Sequence, residues 1–223
     1  MAQSKLTVET FVFDLDGTLV DSGLDIALSA NFVRLHFDLP ELPVATAQSY
    51  VGDGVVKLLE RALGHGGRPV TAPELSAAMG VFQEHYGTHL LDHTRLYPGV
   101  MDVLQALSSL PLQLATNKPR DFTDRILAGV GLEGVFRRIV GGDETPARKP
   151  DPVHLKLALE GLEVEPGRVV MVGDSPNDVN AARAFGAVSV GCTFGLVEPA
   201  IVAAAQPDYL IDTMSALTDL FGI

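Results

Sequence analysis

The sequence has little cysteine and no long apolar run, and each scarcity excludes a class of protein. Cys192 is the single cysteine among 223 residues. No intramolecular disulfide can form, and we expect Cys192 to be a small packing residue in a reducing, cytoplasmic setting. No uninterrupted apolar stretch approaches the roughly 18 residues of a membrane span. Met1–Lys5 lead toward the first predicted strand without an apolar signal segment, so we expect no membrane partner.

Basic residues are also few. Lys and Arg number 16 against 28 Asp and Glu, which gives a formal net charge of -12. Nonspecific attraction to nucleic acid or to an anionic membrane requires a basic surface, so we expect no nucleic-acid partner. An anionic small molecule would have to be held locally, by a metal ion, a lysine and backbone N–H groups.

Two carboxylates two residues apart follow the first apolar run. Residues Phe11–Phe13 are aromatic or β-branched, which is typical of an interior strand, and Asp14 and Asp16 come next, with Gly17 ending the strand. Two crowded anions repel each other unless a cation lies between them, and hard oxygen ligands favour Mg²⁺. The pattern predicts a magnesium site, with a capped turn before a helix as the alternative.

Strand-like apolar runs recur along the chain and predict an α/β fold. They lie at about 7–13, 111–116, 137–141, 168–173, 187–191 and 208–211. Helical patterns separate the later runs, which favours a doubly wound parallel sheet. Pro152 after Asp151 and Pro176 after Ser175 look like first-turn prolines that follow an N-cap residue.

The segment 22–94 contains helical patterns but no convincing strand. Three helices are marked by Leu24, Leu28 and Leu35; by Val55, Leu58, Leu59 and Leu63; and by Leu75, Met79, Phe82 and Tyr86. We therefore predict a core of residues 1–21 and 95–223 and an inserted all-helical cap of residues 22–94. Hinges near 21–22 and 97–99 would let the cap act as a lid over the carboxyl edge of the sheet.

Three further motifs follow later predicted strands, where the sheet would bring them beside Asp14. Thr116 and Asn117 supply a hydroxyl and free N–H groups for phosphate oxygens. Lys149 precedes a proline and could offset phosphate charge, although a solvated lysine is an ordinary alternative. Asp174 and Asp178 follow a buried apolar run and could complete the metal site.

Taken together, these motifs resemble those of the haloacid dehalogenase superfamily of aspartyl-phosphate phosphatases. Five runs also look like the phosphoglycolate phosphatase family in its helical-cap group: 50–55, 96–100, 115–119, 140–143 and 149–152. The similarity spans Phe11 to about Gly195. One difference is Asp53, since many of those relatives carry Asn between the two glycines. The resemblance implies a Rossmann-like core with an inserted helical cap.

The resemblance also implies a role for each motif residue. Asp14 would be the nucleophile that forms an aspartyl phosphate, and Asp16 would protonate the leaving oxygen and later activate water. Lys149 would stabilise charge in the transition state. The cofactor would be Mg²⁺, and its ligands would be the Asp14 side chain, the Asp16 main-chain carbonyl, Asp174 and, through water, Asp178. The phosphoryl oxygens would be bound by Thr116 and the Asn117 N–H.

These roles predict a Mg²⁺-dependent phosphomonoester hydrolase that converts 2-phosphoglycolate into glycolate and phosphate. Alternatives with the same core are a phosphatase or phosphomutase of a sugar phosphate, nucleotide or pyrophosphate, and a phosphonoacetaldehyde hydrolase. A dehalogenase is not expected to keep Asp16 with the magnesium ligands. A non-catalytic metal- or phosphate-binding module would be expected to lose Asp14, Asp16 or Lys149. The expected partner is a small phosphorylated metabolite, and the expected assembly is a monomer or homodimer.

The predicted cap holds candidate contacts to the part of a substrate beyond the phosphate. We expect the turn Gly52-Asp53-Gly54 to lie against that part when the lid closes. Lys57 and Arg61 could reach a substrate carboxylate, but pairing with Glu60 at the surface is slightly favoured. Lys57 also invites comparison with phosphonoacetaldehyde hydrolases, in which a cap lysine forms a Schiff base.

Three histidines in the same segment recur every four residues. On one continuous helix His85, His89 and His93 would align as potential zinc ligands. Gly87 weakens that helix, and the helical pattern ends near Leu91. We therefore favour a polar helix face, with His93 in a loop.

Overall fold

The computed structural model describes residues 7–222 and contains two sheets. The expectation for Met1–Lys5 concerns residues outside this range. The strands are β1 (Thr10–Phe13), β2 (Val20–Asp21), β3 (Arg95–Leu96), β4 (Leu112–Ala115), β5 (Arg138–Val140), β6 (Val169–Gly173), β7 (Val188–Cys192) and β8 (Tyr209–Ile211). Six of them form a parallel sheet in the order β5-β4-β1-β6-β7-β8. This confirms all six predicted strands and the parallel sheet.

Helices alternate with the strands of the parallel sheet and also fill the segment between β2 and β3. The helices are α1 (Gly23–His36), α2 (Val44–Gln48), α3 (Val55–Leu63), α4 (Ala72–Thr88), α5 (Val100–Ala106), α6 (Arg120–Gly129), α7 (Val153–Ala158), α8 (Pro176–Phe185), α9 (Pro199–Ala204) and α10 (Ala216–Phe221). No helix in the described range is long and apolar enough to cross a membrane.

Both faces of the parallel sheet are covered by apolar side chains. Successive side chains of a strand point to opposite faces of the sheet. Phe11 and Phe13 of β1 therefore belong to one hydrophobic cluster, and Val12 belongs to another. Helix α7 packs on β4 and β5, and α8 packs on β6 and β7. Burial on both faces is what a doubly wound parallel sheet requires, and the predicted fold class is confirmed.

The segment between β2 and β3 is helical, and two of the three leucines that mark its first helix are exposed. Helix α1 contacts α2, α3 and α4. Its buried side is formed by Ile26, Ala30 and Val33, whereas Leu28 and Leu35 are exposed. The leucine spacing alone indicated a helix but could not tell which of its two apolar stripes faces the other helices.

Two small elements were missed by the sequence analysis. Strands β2 and β3 form an antiparallel ribbon, in which Val20 pairs with Leu96 and Asp21 with Arg95. These two-residue strands are too short to show alternation. They lie beside both predicted hinges, so a ribbon joins the points where the chain enters and leaves the helical segment. Helix α2 is one turn long and has no readable period.

The two predicted helix starts differ in outcome. Pro176 is the first residue of α8 and follows Ser175, as predicted. Pro152 is instead the N-cap residue of α7, which begins at Val153, so the predicted first-turn position was wrong by one residue. The Asp151 carboxylate still accepts a hydrogen bond from the Val153 N–H at 2.9 Å.

Candidate active site

The candidate site lies where three neighbouring parallel strands end. Strand β1 lies between β4 and β6 and pairs with both in parallel register. Asp14, Thr116 and Asp174 are the first residues after these three strands. The carboxyl ends of parallel strands share one edge of the sheet, which brings together residues about 160 positions apart in the chain.

Three carboxylates converge at this edge. One ligand oxygen from each of Asp14, Asp174 and Asp178 lies within 4.8 Å of the others, the only such ligand group found among residues 7–222. Burial, followed by the neighbouring charges of Asp14 and Asp178, raises the pKa of Asp174 well above its usual value. Burial also raises the pKa of Asp14 to about 6. Three crowded hard-oxygen ligands of one sign fit a divalent cation such as Mg²⁺.

Lys149 is the ammonium group of this cluster. Its Nζ lies 2.8 Å from Asp14 Oδ1 and 2.6 Å from Asp178 Oδ1, and its side chain is fully enclosed. Burial alone would lower the pKa of Lys149, but Asp14 and Asp178 outweigh burial and raise it. Lys149 therefore stays charged, and the alternative of a solvated lysine is wrong.

Asp178 is held by its own helix as well as by Lys149. Its Oδ2 accepts hydrogen bonds from the Ser175 N–H at 3.1 Å and the Ser175 hydroxyl at 2.6 Å. The bond from the Ser175 N–H belongs to the capping box of α8. Both carboxylate oxygens of Asp178 thus already have partners, Lys149 and Ser175. This favours contact with a metal through water over direct ligation.

Asp16 has two partners that the sequence analysis did not assign. Ser22 Oγ donates to Asp16 Oδ1 at 2.5 Å, and Lys118 Nζ lies 2.8 Å from Oδ1 and 3.0 Å from Oδ2. The Lys118 side chain is almost completely buried. Its sequence signal was its position directly after Thr116 and Asn117, on the same turn.

Asn117 ties three loops together through its side chain. Its Nδ2 donates to the Gly52 carbonyl at 3.1 Å and to the Lys149 carbonyl at 3.2 Å, and its Oδ1 accepts from the Lys149 N–H at 3.0 Å. Thr116 is buried, and its Oγ1 accepts a hydrogen bond from the Lys118 N–H at 3.2 Å. Binding of phosphoryl oxygens by Thr116 and the Asn117 N–H stays a prediction.

The turn Gly52-Asp53-Gly54 meets the sheet edge directly. Asp53 Oδ1 accepts from Asn177 Nδ2 of α8 at 2.7 Å, and its other oxygen pairs with Arg61. Gly54 has φ +86°, and a Cβ there would stand 2.6 Å from Arg148 Nη1. The positive φ favours glycine at position 54, and a Cβ there would displace the Arg148 guanidinium.

Lys57 and Arg61 do not line the site. Lys57 is half exposed and pairs with Glu60 at 2.6 Å, as the favoured interpretation had it. Arg61 pairs with Asp53 rather than with Glu60. An exposed, paired Lys57 offers no support for the Schiff-base chemistry of a phosphonoacetaldehyde hydrolase.

The three histidines have separate partners. His85 Nδ1 lies 3.0 Å from Ser29 Oγ, and His89 Nδ1 lies 2.7 Å from an Asp92 oxygen. His93 follows the end of α4, in a loop as predicted, and its ring and N–H both bond to Asp25. The interpretation as polar side chains, rather than zinc ligands, agrees with these contacts.

Cys192 is a free, buried residue at the end of β7. Burial and the nearby carboxylates raise the pKa of its thiol well above the usual value. The thiolate that nucleophilic chemistry needs is therefore disfavoured, in line with the predicted packing role.

A small cavity of about 50 Å³ opens onto this group of residues. It is lined by Asp14, Asp16, Thr116, Asn117 and Lys118 from the core loops, by Gly52 and Gly54 from the turn before α3, and by side chains of α1, α3, α4 and α6. The carboxyl edge of the parallel sheet and the helical segment between β2 and β3 therefore line the same cavity.

Comparison with known proteins agrees with this geometry. A family model described as haloacid dehalogenase-like hydrolase matches residues 8–186. The phosphoglycolate phosphatase of Chromobacterium violaceum is 38% identical over 216 residues, covering 96% of each chain. That of Neisseria meningitidis is also 38% identical and covers 93% of this chain and 91% of its own. The crystal structure of a predicted phosphoglycolate phosphatase from Haemophilus somnus superposes on this protein with a TM-score of 0.89 at 31% sequence identity. The superposition covers 96% of this chain and 97% of the other. The chain therefore belongs to the haloacid dehalogenase-like hydrolases.

Proposed function

We propose that this protein is a Mg²⁺-dependent phosphomonoester hydrolase that acts through an aspartyl phosphate on Asp14 and converts 2-phosphoglycolate into glycolate and phosphate. The observation that carries the proposal is the buried set of Asp14, Lys149, Asp174 and Asp178 at the sheet edge, with Asp16 beside it on one small cavity. The phosphoglycolate phosphatases at 38% identity supply the substrate.

In the first half of the reaction an Asp14 carboxylate oxygen attacks phosphorus, and the bond from phosphorus to the ester oxygen breaks. The departing oxygen takes a proton from Asp16, so that glycolate leaves as a neutral alcohol group rather than an alkoxide. Lys149, 2.8 Å from Asp14 Oδ1, offsets the negative charge of the incoming phosphoryl group.

In the second half a water oxygen attacks the same phosphorus and the bond to Asp14 breaks. Asp16, now a carboxylate, accepts the proton that the water loses. The products are free phosphate and a regenerated Asp14. Ser22 and Lys118 hold the Asp16 carboxylate in place for both steps.

The clustered carboxylate oxygens, whose crowding contributes to the raised pKa of Asp174, support a divalent cation such as Mg²⁺. Asp14, Asp174 and the Asp16 main-chain carbonyl would hold the ion, and Asp178 would contact it through water. When bound, the ion supplies positive charge that lets an anionic nucleophile and an anionic phosphate approach each other.

The helical segment is proposed to be a cap that closes over this edge. The division is that expected from the sequence, with residues 1–21 and 95–223 as the core and 22–94 as the cap. Two core amides support closure, because Asn117 and Asn177 donate to Gly52 and Asp53 of the cap turn. Closure would exclude water from the site and select the substrate.

A substrate panel tests the proposal. Phosphate release should be measured with 2-phosphoglycolate, hexose phosphates, nucleoside monophosphates, pyrophosphate and phosphonoacetaldehyde. We expect the highest kcat/KM for 2-phosphoglycolate, because the relatives at 38% identity are phosphoglycolate phosphatases. A higher kcat/KM for a hexose phosphate or nucleotide would overturn the substrate assignment.

A further inference from the structure

The cavity contains two polar groups whose remaining hydrogen-bonding capacity the proposed chemistry does not use. Lys118 and Tyr86 both line it, together with Asp16. We propose that Lys118 and Tyr86 form a subsite that binds a carboxylate of the substrate and makes the enzyme selective for acidic phosphomonoesters. This inference deepens the proposed function and rests on it.

Lys118 has a donor to spare. Its ammonium carries three N–H groups, and two acceptors, Asp16 Oδ1 and Oδ2, lie within 3.0 Å. Its Nζ also lies 4.9 Å from the centre of the Tyr86 ring, over the ring face. Burial alone would lower the pKa of Lys118, but Asp16 and Tyr86 outweigh burial and raise it. A fixed positive charge with one free N–H therefore faces the cavity.

Tyr86 supplies the second donor. Only 1% of the residue is exposed, and its hydroxyl, which neighbours the Lys118 ammonium, has no hydrogen-bond acceptor among the described residues. Burial raises the pKa of this hydroxyl to about 12, so the group keeps its proton. An unpaired buried hydroxyl costs free energy, and an acceptor bound in the cavity would remove that cost.

The rest of the cavity suits a short acid. Phe82, Leu58 and Phe122 are among the apolar residues that line it, and they offer no hydrogen bonds to a competing polar group. The cavity is small, at about 50 Å³, which favours a short group beyond the phosphate.

Three other cations near the cap are paired with carboxylates, and Arg148, beside Gly54, binds the Gly142 carbonyl and does not line the cavity. Lys149 bridges Asp14 and Asp178, Lys57 pairs with Glu60, and Arg61 pairs with Asp53. Lys118 is the ammonium that both lines the cavity and retains a free donor next to an unpaired hydroxyl. A carboxylate bound beside Lys118 and Tyr86 would receive both a positive charge and hydrogen bonds. A neutral hydroxyl would receive only the hydrogen bonds, so the carboxylate is favoured.

The first experiment compares two substrates of equal length, 2-phosphoglycolate and 2-hydroxyethyl phosphate, in Lys118→Met, Tyr86→Phe and the exposed control Lys156→Met. We expect Lys118→Met to lower the preference for the acid, measured as the ratio of kcat/KM values, by about ten- to a hundredfold. Tyr86→Phe should lower it about three- to tenfold. Lys156→Met should leave the ratio unchanged.

Tyr86→Phe keeps the inference testable if Lys118→Met fails to fold, because it removes only a hydroxyl without a hydrogen-bond acceptor and should not lower the Tm. Equal losses for both substrates in Lys118→Met, or an unchanged ratio in folded Tyr86→Phe, would overturn the subsite. Equal losses would mean that Lys118 acts only by positioning Asp16.

A second readout separates the subsite from the proposed substrate. Glycolate should inhibit hydrolysis of 4-nitrophenyl phosphate competitively, more strongly than ethylene glycol does, and this advantage should disappear in both variants. Glycolate inhibition that depends on Lys118 and Tyr86, without turnover of phosphoglycolate, would refute the proposed substrate but support the subsite. No advantage of glycolate in the wild-type enzyme would refute the subsite.

Discussion

Asp53 should control how firmly the cap turn is held against the core. Its carboxylate receives the Asn177 amide at 2.7 Å and pairs with Arg61. Burial alone would raise the pKa of Asp53, but Asn177 and Arg61 outweigh burial and lower it, so the group is ionised. Asp53→Ala removes both contacts while leaving Gly52 and Gly54 in place.

The size of the effect follows from these two contacts. A hydrogen bond to a charged group contributes about 1.5–3 kcal/mol, and partial exposure places the Asn177 contact at the low end. The Arg61 pair is well exposed, with 42% and 37% of its side chains accessible, and contributes about 0–1 kcal/mol. A total of roughly 2 kcal/mol corresponds to about a thirtyfold loss of kcat/KM for phosphoglycolate.

Steady-state kinetics on Asp53→Ala, with thermal unfolding as a folding control, measures this loss. Lys57→Ala is the matched control, because Lys57 is on α3 near the same turn and its ion pair is with Glu60 rather than with Asp53. It should change kcat/KM by less than about twofold. If Asp53→Ala behaves like Lys57→Ala, the turn does not take part in closure.

Three further outcomes follow from the site and from its supports. Exhaustive chelation with EDTA should abolish turnover and Mg²⁺ should restore it, whereas Ca²⁺ should inhibit through its looser coordination; full activity in the metal-free enzyme would contradict the assigned site. Asp16→Asn should lose turnover severely, since the side chain can no longer donate and accept a proton, and undiminished turnover would refute that role. Asp25→Asn should lower the free energy of unfolding by about 1.5–3 kcal/mol at neutral pH, measured by denaturant titration.

The pH dependence of the Asp25 effect has a defined sign. Burial alone would raise the pKa of Asp25, but the hydrogen bonds from His93 and Thr94 outweigh burial and lower it. A carboxyl with a lowered folded pKa stabilises the protein above its unfolded pKa of about 3.9 and loses that contribution as the pH falls through the folded value. The difference between wild type and Asp25→Asn should therefore narrow below about pH 4; a difference that stays constant would contradict this account.

The sequence was sufficient for features that follow from local pattern. The six strands of the parallel sheet follow from apolar runs, and the meeting of Asp14, Thr116 and Asp174 at strand ends follows from the shared edge of parallel strands. The ribbon β2–β3 and helix α2 were missed because two to five residues carry no period. The buried face of α1 could not be predicted because the helix has apolar residues on both sides.

The cap contacts depended on tertiary packing. Tyr86 looked like one more residue of an apolar helix face, yet its ring lies under Lys118, which is 32 positions away in the chain. Asn177 looked like an ordinary first-turn residue of α8, yet it reaches Asp53 across 124 positions. No local spacing encodes which loop lies opposite which helix, so these partners needed the folded structure.

The aspartyl phosphate on Asp14 is the central claim, and trapping it is the most direct test. Wild-type protein mixed with phosphoglycolate that carries a labelled phosphoryl group should be quenched in acid within one turnover and digested for mass spectrometry. Label should appear on the peptide that contains Asp14 and be absent from Asp14→Asn, which should also lose essentially all turnover while remaining folded. Wild-type-like turnover by Asp14→Asn, or label carried by a different residue, would contradict the account.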